Sequence, residues 1–377
     1  MNRFAWIAAL AAPLLLSQAA RPAQAPSPLD SLPPYMELLL PWGQRPEFDH
    51  EGRVVFMEKA FGDAYRIDLR TRELTPLTTH YTHVGYDRVL VLSNGDYLLT
   101  GPRELDPKDP WRDRHQRFEM FVLDRGLKKP PVALGEYIDE GPAVSRTLLH
   151  IAWTPPSQRD IYEADIVYRD GVPSLANKRL ALSYAGRPMS ERLEPQDFRR
   201  PEERELIFSC YSGTVEEPFY FSDVCGLDLA TGKVTNYTKT AEQYDEVEGI
   251  FPDGRCTLIE SDRHGVNKKW KIDIYRLALD GSNRADRMTH FDDTPGGYHG
   301  SNPVVSPDGR YVVVQLGIHG GGAGQGRGLV LVDVAEWEKW LGRADRMQVC
   351  QQLTRLRSLV AEHQEELLEA WHEFFGS

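Results

Sequence analysis

Short segments rich in carboxylates and histidines precede several apolar runs of this 377-residue chain. Clustered carboxylates suit a hard cation such as Ca²⁺, and added imidazoles suit Mn²⁺ or another first-row metal. A carboxylate beside a histidine can also transfer protons on a sugar. If folding brings the segments together, they form a ligand site, and otherwise they are solvated loop residues. The candidates are His83, Glu140, Glu194, Glu246, Glu248, His299 and Asn302, with Glu246, Glu248 and His299 as candidate metal ligands.

A second mixed segment, Ser261-Asp262-Arg263-His264, follows an apolar strand. In one interpretation it is a turn between strands in which Asp262 and Arg263 form an ion pair. In the other, Arg263 binds a carboxylate such as that of a uronate through two parallel hydrogen bonds. Arg263 therefore joins the candidate ligand-binding residues.

Repeated hairpins are the elements that would position these residues. The clearest is SNPVVSPDGRYVVVQL at 301–316, where a Pro-Asp-Gly turn joins two alternating strands. VEGIFPDGRCTLIES at 247–261 repeats it, and four weaker copies complete a series of turns near residues 52, 95, 146, 203, 254 and 309. Each copy is followed by one or two further strands. The sequence predicts an all-β chain of six mostly four-stranded antiparallel units, which stack because a single small sheet cannot bury its faces.

This pattern resembles the WD40-like (PD40) β-propeller repeats of the TolB type over residues 45–337, most closely at SNPVVSPDGRYVVVQ and IFPDGRCTLIESDRHG. The resemblance implies a six-bladed propeller in which the loops entering each innermost strand meet at one mouth of a central channel. The candidate residues would then be neighbours. About 25 residues between the N-terminal apolar segment and the first blade leave no room for the N-terminal domain of TolB. Only the fold is therefore carried over from that family.

The N-terminus has the pattern of a secretory signal peptide, with Arg3, an apolar run over 5–16 and then Ser17-Gln18-Ala19. A spanning helix needs ~20 apolar residues, which this run does not reach. We predict a signal peptide over 1–19, with cleavage after Ala25 as the alternative, and an N-terminal extension over 20–44. The mature chain is then exported, to the periplasm or the medium, without a membrane anchor.

The C-terminal segment 338–377 changes from strand-like alternation to helical spacing of its apolar residues. We predict one amphipathic helix, most regular over 344–375. Three interpretations of its apolar stripe remain open. The stripe packs on the chain's own barrel face, joins two copies through residues 344–377, or enters a groove of a partner.

Export also permits disulfides, and Cys210 and Cys225 lie in apolar runs typical of neighbouring antiparallel strands. They form the candidate disulfide, with two free thiols as the alternative. Asp and Glu outnumber Lys and Arg by 56 to 44, which gives a net charge of −12. A chain this acidic is not suited to nonspecific binding of nucleic acid, which requires a basic surface.

The glycine-rich HGGGAGQGRG at 319–328 resembles a lipase oxyanion loop, but the sequence has no G-x-S-x-G motif. This excludes a serine hydrolase of that type. The favoured function is a non-enzymatic, exported scaffold of the cell envelope that binds a protein or a glycan. One alternative is a metal-dependent carbohydrate-active enzyme, a polysaccharide lyase or hydrolase that works at the channel mouth. Another is an assembly component whose C-terminal helix joins copies or partners.

Overall fold

A computed structural model describes residues 27–156, 159–183, 192–212, 221–240, 242–265, 271–318, 326–343 and residue 363. The predicted signal peptide over 1–19 and almost all of the helix predicted over 344–375 lie outside these residues. Most of the glycine-rich segment also lies outside them. These predictions therefore stay predictions.

The described chain is almost entirely antiparallel β-sheet, arranged as four sheets of four strands and one sheet of seven. One four-stranded sheet contains β2 (Gln44–Phe48), β3 (Val54–Met57), β4 (Ala64–Ile67) and β5 (Leu74–Pro76). The seven-stranded sheet contains β6 (Arg88–Val91), β7 (Tyr97–Pro102), β8 (Phe118–Leu123), β9 (Val132–Val144), β10 (His150–Thr154), β11 (Asp160–Arg169) and β12 (Val172–Ser183). The predicted all-β, antiparallel architecture is confirmed.

The remaining three sheets have four strands each. The first contains β13 (Arg192–Phe198), β14 (Glu205–Ser212), β15 (Phe221–Asp228) and β16 (Val234–Asn236). The second contains β17 (Asp245–Ile250), β18 (Cys256–Ser261), β19 (Asp273–Ala278) and β20 (Ala285–Arg287). The third contains β21 (Tyr298–Val305), β22 (Tyr311–Ile318), β23 (Leu329–Asp333) and, from the other end of the chain, β1 (Met36–Leu40).

Strand β1 closes the fold by completing the last sheet. It pairs antiparallel with β23, with Met36 opposite Val332 and Leu38 opposite Val330. Residues 36–40 were predicted as part of an N-terminal extension, but here they form the outer strand of a sheet. The two ends of the folded region are thereby held together by backbone hydrogen bonds.

A hairpin occupies each of the six predicted turn positions. In the two clearest repeats, the turn glycines Gly254 and Gly309 have φ values of 65° and 73°. Their amides donate to the carbonyls of Phe251 and Ser306, in each case over 2.9 Å. A residue with a Cβ is strained at such positive φ, which explains the recurring Pro-Asp-Gly sequence.

The seven-stranded sheet owes its size to one long strand. The first part of β9 pairs with β8, where Ile138 lies opposite Phe118. The second part pairs with β10, where Val144 lies opposite Ile151. Glu140, between the two parts, has a φ of 57°, so the backbone turns there. A single strand thus serves as the outer strand of one hairpin unit and the inner strand of the next.

The inner strands form a closed ring. β2, β6, β9, β13, β17 and β21 contact one another in this order, and β21 contacts β2. Apolar side chains pack between consecutive sheets, as Phe56 and Leu329 do in one cluster and Ile207 and Ile259 do in another. Because the apolar faces are used between the sheets, the inner edges of these strands are left to polar groups around a central cavity.

Helices are few in the part of the chain that the structure describes. They are α1 (Pro110–Gln116), α2 at 334–343, and two short 3₁₀ segments, Pro28–Ser31 and Phe291–Asp293. On α2, Trp337 is fully buried in the apolar cluster that contains Met288 and Phe291. The ring centre of Trp340 lies 5.2 Å from that of Tyr35. Helix α2, which overlaps the predicted C-terminal segment only at residues 338–343, therefore packs on its own chain. No helix among the described residues has the length and apolar character needed to cross a membrane.

Candidate functional site

A cavity lies inside the ring of inner strands. All six inner strands contribute to its wall. Its lining includes Arg45 from β2, Arg88 from β6, Val144 from β9, Gln196 from β13, Glu248 from β17 and Asn302 from β21. The wall is thus dominated by charged and amide side chains. We call this space the central channel.

One side of the channel is held by buried ion pairs. Arg45 lies 3.1 Å from Asp87 and 3.5 Å from Glu140, and Arg114 lies 2.6 Å from Glu140. Burial alone would raise the pKa of Glu140, but Arg192 and Arg45 hold it below its usual range. Burial does raise the pKa of Asp87, against the effect of Arg45. These pairs fix the side chains, because each buried charge is stable only beside its partner.

Helix α1 delivers part of this network. It begins at Pro110 after Asp109, whose carboxylate accepts the amide hydrogen of Arg112 over 3.1 Å. Its last turn places His115 Nδ1 2.7 Å from an Asp139 oxygen. That hydrogen bond is the main reason why the pKa of His115 is raised. His115, Asp139 and Glu140 bring potential ligand atoms within 4.8 Å of one another.

Strand β13 adds a further pair. Arg192 lies 2.7 Å from Glu194 and 4.8 Å from the ring centre of Tyr211. The Tyr211 hydroxyl donates to Glu194 over 3.0 Å. The pKa of Glu194 is nevertheless raised, chiefly by burial. The tyrosine and the arginine together fix the position of this carboxylate.

Three carboxylates face each other on the other side of the channel. Glu246, Glu248 and Glu260, which we call the carboxylate triad, have ligand oxygens all within 4.8 Å of one another. Asn302 holds two of them. It donates its backbone N–H to Glu260 over 2.7 Å and its side-chain N–H to Glu248 over 3.3 Å. The Tyr244 hydroxyl donates to Glu246.

The carboxylate triad is strongly perturbed. Burial raises the pKa of Glu260 to about 7. Burial and the neighbouring Glu260 raise the pKa values of Glu246 and Glu248 well above the usual range. Like charges this close in a buried site cannot all ionise without a counter-charge. The triad therefore either retains protons or binds a cation.

No family model matches the chain, and no curated protein sequence matches it. Solved structures do resemble it. An α-L-arabinanase from Penicillium chrysogenum has a TM-score of 0.50 at 11% identity, covering 80% of this chain and 98% of that one. A calcium-binding regucalcin from Agrobacterium tumefaciens has a TM-score of 0.49 at 13% identity, covering 79% and 92%. TolB from Acinetobacter baumannii has a TM-score of 0.41 at 15% identity, covering 74% and 67%.

The chain is a β-propeller. At this identity the similarity to the arabinanase shows the fold alone, and the repeat family predicted from the sequence stays a prediction. The function of this propeller must therefore be inferred from the side chains of its own channel.

Of the predicted site residues, Glu248 and Asn302 line the channel. Glu246 lies beside them in the carboxylate triad, and Glu140 and Glu194 belong to the ion-pair network that begins at Arg45. His299, the third predicted metal ligand, lies on β21 with its ring against the backbone of Gly317. It is not in the group that Glu246 and Glu248 form, where Glu260 is the third member.

Two other predicted residues serve the sheets. His83 lies 3.0 Å from Asp63 and stacks on Tyr86 with 4.9 Å between ring centres. Arg263 forms two hydrogen bonds to Asp245, of 2.9 and 2.8 Å, and does not pair with Asp262. Because its guanidinium also donates to Asn283, Arg263 joins neighbouring segments of one blade.

Several residues of the channel and its ion-pair network escaped the sequence analysis, namely Arg45, Asp87, Arg88, Arg114, His115, Arg192 and Glu260. Most of them stand at or near the start of an inner strand, as in GQRPEF and YDRVLV. A charge inside an otherwise apolar hairpin is the signal that marks them. Their pairing, however, depends on which strands meet across the channel.

A further polar cluster belongs to a blade and not to the channel. His264 Nε2 lies 2.8 Å from Asp292, and its Nδ1 lies 3.0 Å from the Tyr275 hydroxyl. Asp273, the third acidic member, accepts hydrogen bonds from Thr289 and from the amide of Phe291. These contacts join β18, β19 and the following 3₁₀ segment, so they stabilise the sheet.

Proposed function

We propose that the protein is an exported six-bladed propeller that acts as a binding scaffold of the cell envelope, with part of a glycan or protein ligand held in the central channel. The six inner strands support six blades when β9 is counted twice, as the outer strand of one blade and the inner strand of the next. The observation that carries the proposal is the channel itself, whose wall receives charged or amide side chains from several inner strands.

The charged side chains of the channel are already fixed in position, which suits binding. Ion pairs keep Arg45, Arg114 and Arg192 in place before any ligand arrives. A site built from side chains that are already ordered loses little conformational entropy when it binds. The end of a glycan chain or a short peptide loop, each rich in hydrogen-bonding groups, matches such a wall.

The test is to apply the mature chain, residues 20–377, to a glycan microarray and to a phage-displayed peptide library. The channel variant Glu248→Gln/Glu260→Gln is compared with the surface variant Glu336→Gln/Glu338→Gln on α2. We expect the parent and the surface variant to retain the same ligands and the channel variant to lose at least tenfold in signal. Equal retention by all three proteins, or retention of nothing by the parent, contradicts the proposal.

The carboxylate triad favours a second candidate, a metal-dependent carbohydrate-active enzyme. Its three donors are all oxygens, which fits Ca²⁺ better than Mn²⁺ because no imidazole takes part. When bound, such a cation would polarise a sugar oxygen. Glu246, Glu248 and Glu260 would hold it, while Asn302 orients two of them.

A thermal melt after dialysis against EDTA, repeated with CaCl₂ or MnCl₂, tests this candidate. A ligand at ~100 times its Kd adds about 2.7 kcal/mol to the stability of the native state. We expect Ca²⁺ to raise Tm in the parent and not in Glu248→Gln/Glu260→Gln. Release of reducing ends from oligosaccharides, dependent on Ca²⁺, then separates the enzyme from the scaffold. An unchanged melt removes the metal site.

A further inference from the structure

Arg88 differs from the other arginines of the channel. Arg45, Arg114 and Arg192 each lie within 3.1 Å of a carboxylate oxygen. Arg88 forms no ion pair and no side-chain hydrogen bond with any residue in the described part of the chain. Its guanidinium lines the channel, where its charge opposes the effect of burial and lowers the pKa of Glu248 without a direct contact.

The chain makes room for this side chain through Gly141 on β9. A Cβ added at Gly141 would lie 2.6 Å from Cδ and Nε of Arg88 and 2.8 Å from Cζ, far inside van der Waals contact. The guanidinium therefore lies against the bare backbone of β9. Its Nε is buried without a partner, which leaves the two Nη groups as the donors for a bound molecule.

Hydrogen-bonding groups of the channel wall lie in the same cavity. Gln196 and Asn302 contribute amides, and Glu248 contributes a carboxyl group. A guanidinium whose Nη groups are free presents two parallel N–H donors, the geometry that matches a carboxylate. Arg88 is half-buried, so a bound anion would gain charge-assisted hydrogen bonds from it in a site partly shielded from water.

We infer that the central channel binds a small carboxylate, with Arg88 as its counter-ion and Gly141 as the surface that positions the guanidinium. The inference rests on the proposal that the channel is the ligand site, and it adds the chemical class of the group held there. The carboxylate belongs either to an acidic sugar or to a simple organic acid, and the two sources are separated by the probes below.

The test is isothermal titration calorimetry of the mature chain with two matched pairs of probes. Glucuronate is compared with glucose, and acetate is compared with acetamide. We expect the parent to bind at least one carboxylate and to bind the uncharged member of that pair at least tenfold more weakly. Preference for glucuronate over acetate identifies an acidic sugar, whereas equal binding identifies the carboxylate alone.

Three variants locate the site. Arg88→Met is expected to lose carboxylate binding at least tenfold. Gly141→Ala leaves Arg88 in the sequence but displaces its side chain, so it too is expected to weaken binding. Gly342→Ala on α2 is the matched control, because an added Cβ there has no neighbour within 4 Å, and it should bind as the parent does.

Two results would overturn the inference. One is a parent protein that gives no heat of binding with either glucuronate or acetate at 20 times the protein concentration or above. The other is undiminished binding by a folded Arg88→Met or Gly141→Ala protein. If the microarray still shows uncharged glycans or peptides held by the channel, the scaffold function stands and only the carboxylate is wrong.

Discussion

Replacing His150 by Gln is expected to destabilise the propeller more at pH 5.5 than at pH 8.5. His150 on β10 lies between two carboxylates, with Nδ1 2.8 Å from Asp165 and Nε2 3.1 Å from Glu163. Burial alone would lower the pKa of His150, but these two hydrogen bonds raise it. Burial alone would raise the pKa of Glu163, but His150 and Arg179 lower it, and hydrogen bonds from Asn177 and His150 lower the pKa of Asp165.

The signs define a pH window. A histidine whose pKa is raised by folding contributes stability that is complete below its unfolded value of about 6.5 and is lost as pH rises through the folded value. A carboxylate whose pKa is lowered contributes stability that is present above about 4.5 and is lost as pH falls. The cluster of His150, Glu163 and Asp165 is therefore most stabilising between these limits, around pH 5.5.

The magnitude follows from the exposure of the two partners. The Glu163 side chain is 2% exposed, so its charged hydrogen bond to His150 contributes about 2 kcal/mol at pH 5.5. The Asp165 side chain is 40% exposed, and solvent screening limits its share to about 0.5 kcal/mol. At pH 8.5 a neutral imidazole retains about 1 kcal/mol of hydrogen bonding. The loss caused by His150→Gln should thus be roughly 1.5 kcal/mol larger at pH 5.5.

Urea unfolding followed by tryptophan fluorescence measures this difference at the two pH values. His80→Gln is the control, because His80 is exposed and has no ion pair in the described structure. A loss in His150→Gln that is equal at both pH values, or larger at pH 8.5, would refute the reasoning.

Two further predictions concern the cysteines and the carboxylate triad. The Sγ atoms of Cys210 and Cys225 lie 2.7 Å apart as thiols, so the oxidised chain is expected to carry this disulfide. Intact mass should then rise by about 2 Da on reduction, and an unchanged mass contradicts it. Without metal, Glu248→Gln/Glu260→Gln should raise Tm at pH 8 and change it little at pH 5, because the raised carboxyl pKa values make ionisation costly as pH rises. Equal shifts at both pH values would contradict that origin.

The hairpins could be predicted from the sequence because their signals are local. A glycine such as Gly309 at positive φ and the alternation on either side of it define strands, turn and pairing within 16 residues. The pairing of β1 with β23 has no such signal. Met36 and Val332 meet only because the whole ring closes, and MELLL by itself is too short to indicate its partner.

The site was partly predictable for the same reason. Glu140, Glu194, Glu246 and Glu248 lie on inner strands, so a correct hairpin pattern places them at the channel. Glu260 lies on the second strand of its hairpin, directly opposite Glu246. Counting outward from the Pro-Asp-Gly turn would have paired Glu260 with Val247 instead, because an irregularity between Val247 and Ile250 shifts the register by one residue. The place of Arg88 could not be found in this way either, since it depends on a glycine of a different strand.

Some charges of the channel form ion pairs and others do not. This difference favours ligand binding over a purely structural role for the unpaired ones. Pairs such as Arg45 with Asp87 offset their own desolvation, as a buried charge must in a stable core. Arg88 acts to lower the pKa of Glu248, which burial raises, but forms no ion pair with the carboxylate triad. They stand on β6 and β17, three strands apart in the ring of six, with the cavity between them. A molecule with a carboxylate at one end and a cation or hydrogen-bond donors at the other would neutralise both sides at once.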